Sequence, residues 1–252
     1  MAVLVSCDEV SRDDRLIYVE PPEVGRAVLI EDYTGQYCVN CPRATEEIER
    51  LVEEYGDTTV IAVAIHSGPF SKNKGEFSPL YTQVGDMYFG HWGLSGQPVG
   101  LVDRLYSSMP FSYTDWGYGV NYELGFKAPI SFLTQIDLDQ DTRQASIEVQ
   151  TIGLDSLRVN GKLQVWLVED SIDSFQYMPD GSVTEHYNHM HVLRASVNDP
   201  WGDDVSVGHG DVAVNNYSIA LDPAWKPEHC AIVTFLYDND GVRQVSKTRL
   251  MK

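Results

Sequence analysis

Basic residues are scarce in this chain. Its 252 residues include 18 Lys and Arg against 37 Asp and Glu, a formal net charge of −19 at pH 7. Such a surface repels phosphate backbones and anionic bilayers, which excludes nucleic-acid binding and electrostatic adsorption to a membrane. No stretch is long and apolar enough to cross a bilayer as a helix. No sequence repeat recurs at a fixed period, and there is no low-complexity tract. There are only four cysteines, at positions 7, 38, 41 and 230, so each can be given a role of its own. What remains is a composition with 43% hydrophobic and 11% aromatic residues, enough for one large core or two ordinary ones.

The order of hydrophobic patterns favours two. Val28 to Tyr33 reads as a strand, followed by a short turn, Cys38-Val39-Asn40-Cys41, Pro42 and a helical run from Arg43 to Val52. Thr59 to Ile65 is apolar almost throughout, as a strand covered on both faces should be, and would pair parallel to the first through the helical crossover. Ser78 to His91 suggests a second helix, Val99 to Asp103 another strand, and Trp116, Val120 and Leu124 a closing helix before Lys127-Ala128-Pro129. Beyond residue 129 the period changes to two. A hairpin over 130–149 is followed by strands expected at Lys162–Glu169, Thr184–Ser196, Val212–Leu221, Cys230–Tyr237 and Val242–Arg249. About seven short strands with turns between them point to an antiparallel, immunoglobulin-like sandwich. The division expected is an arm over 1–14, an α/β domain over 15–127 and a β-domain over 128–252.

Two thiols at C-x-x-C spacing on a first helical turn can close a disulfide. The free amides at a helix start favour thiolate, so Cys38 is expected as the exposed, attacking sulfur and Cys41 as the resolving thiol behind it. Pro42 suits an early helical position, where a missing N–H costs nothing. Alternation puts Asp32 on the face of Val28 and Ile30, so it is expected to be buried. Sulfurs sealed from water beneath other side chains would end the electron-transfer reading and leave only an anchored adaptor. Cys230 lies in an apolar strand and reads as a small core hydrophobe.

Leu29 through Cys38 resembles the strand leading into a thioredoxin active site, and Asp32 stands six residues before the first cysteine, where that family places a buried proton acceptor. Gly96-Gln97-Pro98-Val99-Gly100 resembles the loop in which thioredoxin-like proteins keep a cis-proline against the disulfide. The whole chain resembles the outer-membrane-protein-28-related lipoproteins of the bacterial cell envelope, through Glu31 to Gly35, Cys38 to Pro42, Gln97 to Gly100 and His189 to Arg194. That resemblance implies a thioredoxin-like N-terminal domain followed by a β-rich one, in an outer-membrane lipoprotein facing the periplasm or the cell surface. Leu4-Val5-Ser6-Cys7 resembles a lipobox, which makes Cys7 the lipidated residue and its acyl chains the sole membrane attachment, although no basic, apolar signal segment precedes it.

Site residues follow from this reading. Cys38, Cys41, Asp32 and Pro98 form the reactive set, and His66, Gln97 and Trp92 are candidates for a substrate groove. His91 is a weaker candidate beside Trp92. The Asp137-x-Asp139-x-Asp141 run has calcium-loop spacing but lacks the required glycine and flanking helices, so it reads as a polar hairpin turn. His186, His189 and His191 invite a metal reading, with His189 and His191 on one strand face, but structural histidines are favoured and no cofactor is expected. Three functions fit. One is thiol-disulfide exchange with protein thiols or disulfides. The second is a binding or adhesion lipoprotein that contacts an envelope protein or glycan and uses the disulfide as a staple. The third is metal handling by the cysteines with a histidine.

Overall fold

The computed structural model describes residues 24–105 and 110–251. The expected arm and Cys7 lie outside the described residues. The fold is mostly β, with three α-helices among the described residues.

Strand β1 (Val28–Thr34) is buried at all seven positions and pairs parallel with β2 (Val60–His66), from Val28 opposite Val60 to Thr34 opposite His66. Helix α1 (Cys41–Tyr55) connects them, with Ala44, Ile48 and Leu51 at helical spacing on its buried side. A 3₁₀ turn over Pro69–Ser71 leads into a two-residue hairpin, β3 (Lys72–Asn73) and β4 (Glu76–Phe77). Helix α2 (Gln83–His91) begins after Thr82, whose hydroxyl accepts the Gly85 N–H at 3.2 Å. Strand β5 (Val99–Val102) joins the other edge of β1 antiparallel, and α3 (Trp116–Glu123) closes this half.

The second half supplies β6 (Ile130–Asp139), β7 (Gln144–Gly153), β8 (Val159–Glu169), β9 (Ile172–Tyr177), β10 (Val183–His189), β11 (Val192–Ser196), β12 (Asp203–Val207), β13 (Val212–Ala220), β14 (Cys230–Asp238) and β15 (Gly241–Arg249). The hairpin expected over 130–149 is β6–β7. The strand expected over 184–196 is two strands, because His191 takes a left-handed φ of 58° and turns the chain between them. His189 and His191 therefore do not share a strand face, contrary to the sequence reading. Strands β9 and β12 were not anticipated.

The principal sheet runs β15-β14-β8-β11-β2-β1-β5, with β12 beside β11 on the same edge of β8. It continues through the boundary expected at 127–128. Strand β11 makes the join, antiparallel to β8 and parallel to β2, where the Ala64 N–H donates to the His191 carbonyl at 2.8 Å. One face is covered in two pieces. Helices α1 and α3 cover Val28, Ile30, Val60 and Ala62, and the three-stranded sheet β13-β7-β6 covers Leu163, Val165, Leu167 and Ile232. The opposite face gathers Leu29, Tyr33, Ile61, Val63, Trp166, Val233 and Phe235 from both halves into one core, together with Tyr88 of α2.

An ion pair sits inside that common core. Arg104 Nε donates to Glu31 Oε1 at 2.6 Å with both side chains buried, and Tyr33 donates its hydroxyl to Glu31 Oε2 at 3.0 Å. The Arg104 guanidinium lies 4.2 Å from the Tyr237 ring centroid, 5.0 Å from Phe235, 5.2 Å from Trp92 and 5.9 Å from Trp166. Asp103 and Arg104 both take left-handed φ values, 47° and 54°, which turn the chain at the end of β5.

Candidate functional site

The loop between β1 and α1 is shaped by a close approach. A Cβ on Gly35 would stand 2.4 Å from the Phe70 carbonyl oxygen, so only glycine fits there, and the next amide but one, of Tyr37, donates to that same oxygen at 3.0 Å. This turn delivers Cys38 just before the helix and Cys41 as its first residue, with Pro42 in the first turn, where it displaces no hydrogen bond. The two cysteines form a disulfide, with their α-carbons 5.4 Å apart.

Cys38 is not exposed. Both cysteines retain 2% of their accessible surface, while the intervening Val39 retains 41%. This corrects the expectation of an exposed attacking sulfur, and the cause is an element from the other half of the chain. The β9–β10 hairpin lies against the cysteine loop. Gln176 Nε2 donates to the Cys38 carbonyl at 2.9 Å, the Tyr177 N–H donates to the Gln36 carbonyl at 2.9 Å, and Gln36 Nε2 donates to the Phe175 carbonyl at 2.8 Å. The Tyr37 ring packs against both Phe175 and Tyr177, at 5.2 and 5.3 Å between centroids.

Behind the disulfide lies a cavity of about 240 Å³ between α1, β2 and the hairpin. Cys41, Asp32, His66, Gln176 and His189 line its inner part, and Glu49, Tyr187 and His191 are among its other lining residues. Asp32 is buried to 1% exposure and its Oδ1 has no hydrogen-bond partner. Burial pushes its carboxyl up to about 8, so it is protonated at neutral pH. His66 is buried with neither ring nitrogen bonded, and burial, then the neighbouring His189 and Arg194, hold it well below the ordinary imidazole range. His189, with its ring centroid 5.3 Å from that of His66, is brought down to about 4, chiefly by burial. Both imidazoles are neutral at pH 7.

The other expected residues fall elsewhere. The Gln97–Pro98 bond is cis. Gln97 ties three segments beside the cysteine loop: its Nε2 donates to the Thr34 and Ser67 carbonyls at 2.5 and 2.9 Å, and its Oε1 accepts the Phe70 N–H at 3.2 Å. Trp92 packs on Arg104 in the common core, away from the cavity, and exposed His91 meets Trp92 edge-on and Trp201 at a tilt. Cys230 is a free, buried thiol in β14, pushed up to about 12 chiefly by burial. Asp139 caps the β6–β7 turn, accepting the Asp141 and Thr142 N–H groups at 2.9 and 3.0 Å. His186 pairs with Asp173 on the surface at 3.1 Å, and His191 pairs with Asp170 at 2.9 Å. The sequence reading missed Gln36, Gln176 and Tyr187. Gln176 carries a weak signal, because β9 is short and its burial follows no alternation, while Gln36 sits in the loop before α1 and Tyr187 in β10.

A family model described as outer membrane protein Omp28 matches residues 85–252. No match was found among curated proteins. Among solved structures, HBP35 of Porphyromonas gingivalis superposes with a TM-score of 0.69 at 14% identity, covering 90% of this chain and 76% of its own. The protein AGR_C_4864 from Agrobacterium tumefaciens gives 0.57 at 13% identity, covering 91% and 97%. A domain of the outer membrane lipoprotein Omp28 from P. gingivalis gives 0.36 at 23% identity, covering 49% and 88%.

Proposed function

This chain belongs to the Omp28 family of outer membrane proteins, and on that premise we propose that it carries out thiol-disulfide exchange in the envelope through Cys38 and Cys41, at a site closed by the β9–β10 hairpin. The parallel β1–α1–β2 unit, with β5 antiparallel on β1 after a cis proline, supports reading the first half as thioredoxin-like. The packing of β13-β7-β6 on β8 and β14 supports an immunoglobulin-like sandwich for the second. Cys7 is retained as the lipid anchor.

The observation that carries the reading is Asp32. A buried carboxyl with no partner at Oδ1 is costly to fold, and it lines the same cavity as the resolving cysteine. In the reduced protein the Cys38 thiolate attacks a client disulfide and expels one client thiolate. Asp32, protonated at rest, gives its proton to solvent as the site opens; the carboxylate then takes the Cys41 proton, and the Cys41 thiolate attacks Cys38 Sγ, which releases the second client thiolate and closes the Cys38–Cys41 bond. With both sulfurs sealed, the closed form meets the condition that ends electron transfer, so exchange at this site requires the hairpin to lift.

The burial of both sulfurs favours a second reading, an envelope binding or adhesion protein in which the disulfide merely fastens the helix start. Equilibration in dithiothreitol redox buffers separates the two. Exchange is expected to give a potential above about −300 mV, and a Cys41→Ser variant is expected to retain mixed disulfides with envelope proteins. A potential below that value, with no trapped adduct, would leave the binding protein.

A further inference from the structure

We propose that the cavity between α1, β2 and the β9–β10 hairpin binds a small organic cation, a primary ammonium group carried on a short apolar chain. The cavity's volume of about 240 Å³ is that of roughly eight water molecules, room for a ligand of about five to eight non-hydrogen atoms. The sign of the ligand's charge follows from the lining. Asp32 and Glu49 contribute carboxyl groups, and no lysine or arginine lines the cavity. Its unpartnered polar atoms include two acceptors, Asp32 Oδ1 and, in whichever tautomer, one ring nitrogen of neutral His66, whose other ring nitrogen is a donor. An ammonium group brings three donors and a charge to such a set, whereas a carboxylate would meet two acids and no cation. Ile48, Val52 and Ala64 supply the apolar wall, and the Tyr187 ring lines the same space, where it can face a cation.

The charged groups around Asp32 agree with this assignment. Glu49 of α1, an exposed residue, lines the same cavity, as do neutral His66 of β2 and Tyr187 and neutral His189 of β10. His191 is held by Asp170, which also binds Lys247 at 3.0 Å, and Arg194 of β11 is paired with Glu169 at 2.7 Å. The nearby cations thus already have carboxylate partners. Because Asp32 is protonated at neutral pH, a bound ammonium displaces that proton as it ionises the carboxyl.

The test uses butylammonium, with butanol and butyrate as the uncharged and anionic probes of similar size, on the oxidised protein, so its outcome does not depend on thiol exchange. Isothermal titration calorimetry is expected to detect butylammonium alone. In two buffers of different ionisation enthalpy it should release about one proton per ligand below pH 8, with affinity rising towards that pH. Asp32→Asn is expected to weaken binding by about tenfold or more, because the buried charge loses its partner. Val52→Phe, which fills the apolar wall and leaves every polar group in place, should also abolish it. Equal binding of all three probes, no binding of any, or full affinity in both variants would overturn the proposal.

Discussion

At the scale of the residue, Asp32 dominates. Its carboxyl titrates near 3.9 when the chain is unfolded and at about 8 when folded. Between those values the folded protein keeps a proton that the unfolded chain has lost, so stability falls as pH rises from about 4 to about 8 and is level above. The full penalty is on the order of 5 kcal/mol. Asp32→Asn should remove this slope, and urea unfolding of both proteins at pH 5 and pH 8 will check it: the variant's gain over the wild type should be about 4 kcal/mol larger at pH 8 than at pH 5. Equal gains at both values would mean that the carboxyl is not buried and neutral. The position of Asp32 was legible from strand alternation alone. That its oxygen lacks a partner was not, because the groups around it come from α1, β2 and β10.

Among elements, the β9–β10 hairpin decides whether the disulfide can react. Gln176 donates from one amide to the carbonyls of Cys38 and Tyr177 at 2.9 and 3.1 Å, so removing it leaves buried acceptors unsatisfied, at about 1–3 kcal/mol. Gln176→Ala should therefore open the site more often and speed reduction by dithiothreitol about tenfold. Unchanged kinetics would place the seal elsewhere. Helix α1 was readable in the sequence because Cys41-Pro42 and the buried Ala44, Ile48 and Leu51 follow helical spacing. The hairpin was not. Its β10 strand alternates only loosely and runs towards β11 without a glycine or proline to mark the break, and the turn at Met190–His191 rests instead on Asp170 Oδ1 accepting the His191 N–H at 2.7 Å.

For the whole molecule, the question is how the halves are joined. Arg104 comes from the end of β5, and three of the four rings around its guanidinium, Trp166, Phe235 and Tyr237, come from β8 and β14. Arg104→Met leaves Glu31 buried without its counter-ion, and should cost about 3–5 kcal/mol. Adding Glu31→Leu should restore most of that loss. A double variant as unstable as the single one would show that the arginine acts by packing and not by charge. Because the principal sheet and the common core cross residues 127–128, heating should give a single transition, with equal calorimetric and van't Hoff enthalpies. Two transitions would mean that each half is stable alone.

The sequence by itself determined the local elements: the cysteine pair at a helix start, the parallel β1 and β2 around α1, the change to strand periodicity after 129, and the apolar faces that each strand must bury. These depend on near neighbours, whose spacing is written along the chain. Only the tertiary structure decided that β11 joins β2 to β8, that a hairpin from the second half seals the disulfide, and that Asp32 and His66 share a cavity. Val192 meets Ala64 and Gln176 meets Cys38 across more than 100 positions, and His189 of β10 closes the cavity over Asp32 and His66 from as far; no periodicity in a single segment encodes which distant edge it will meet.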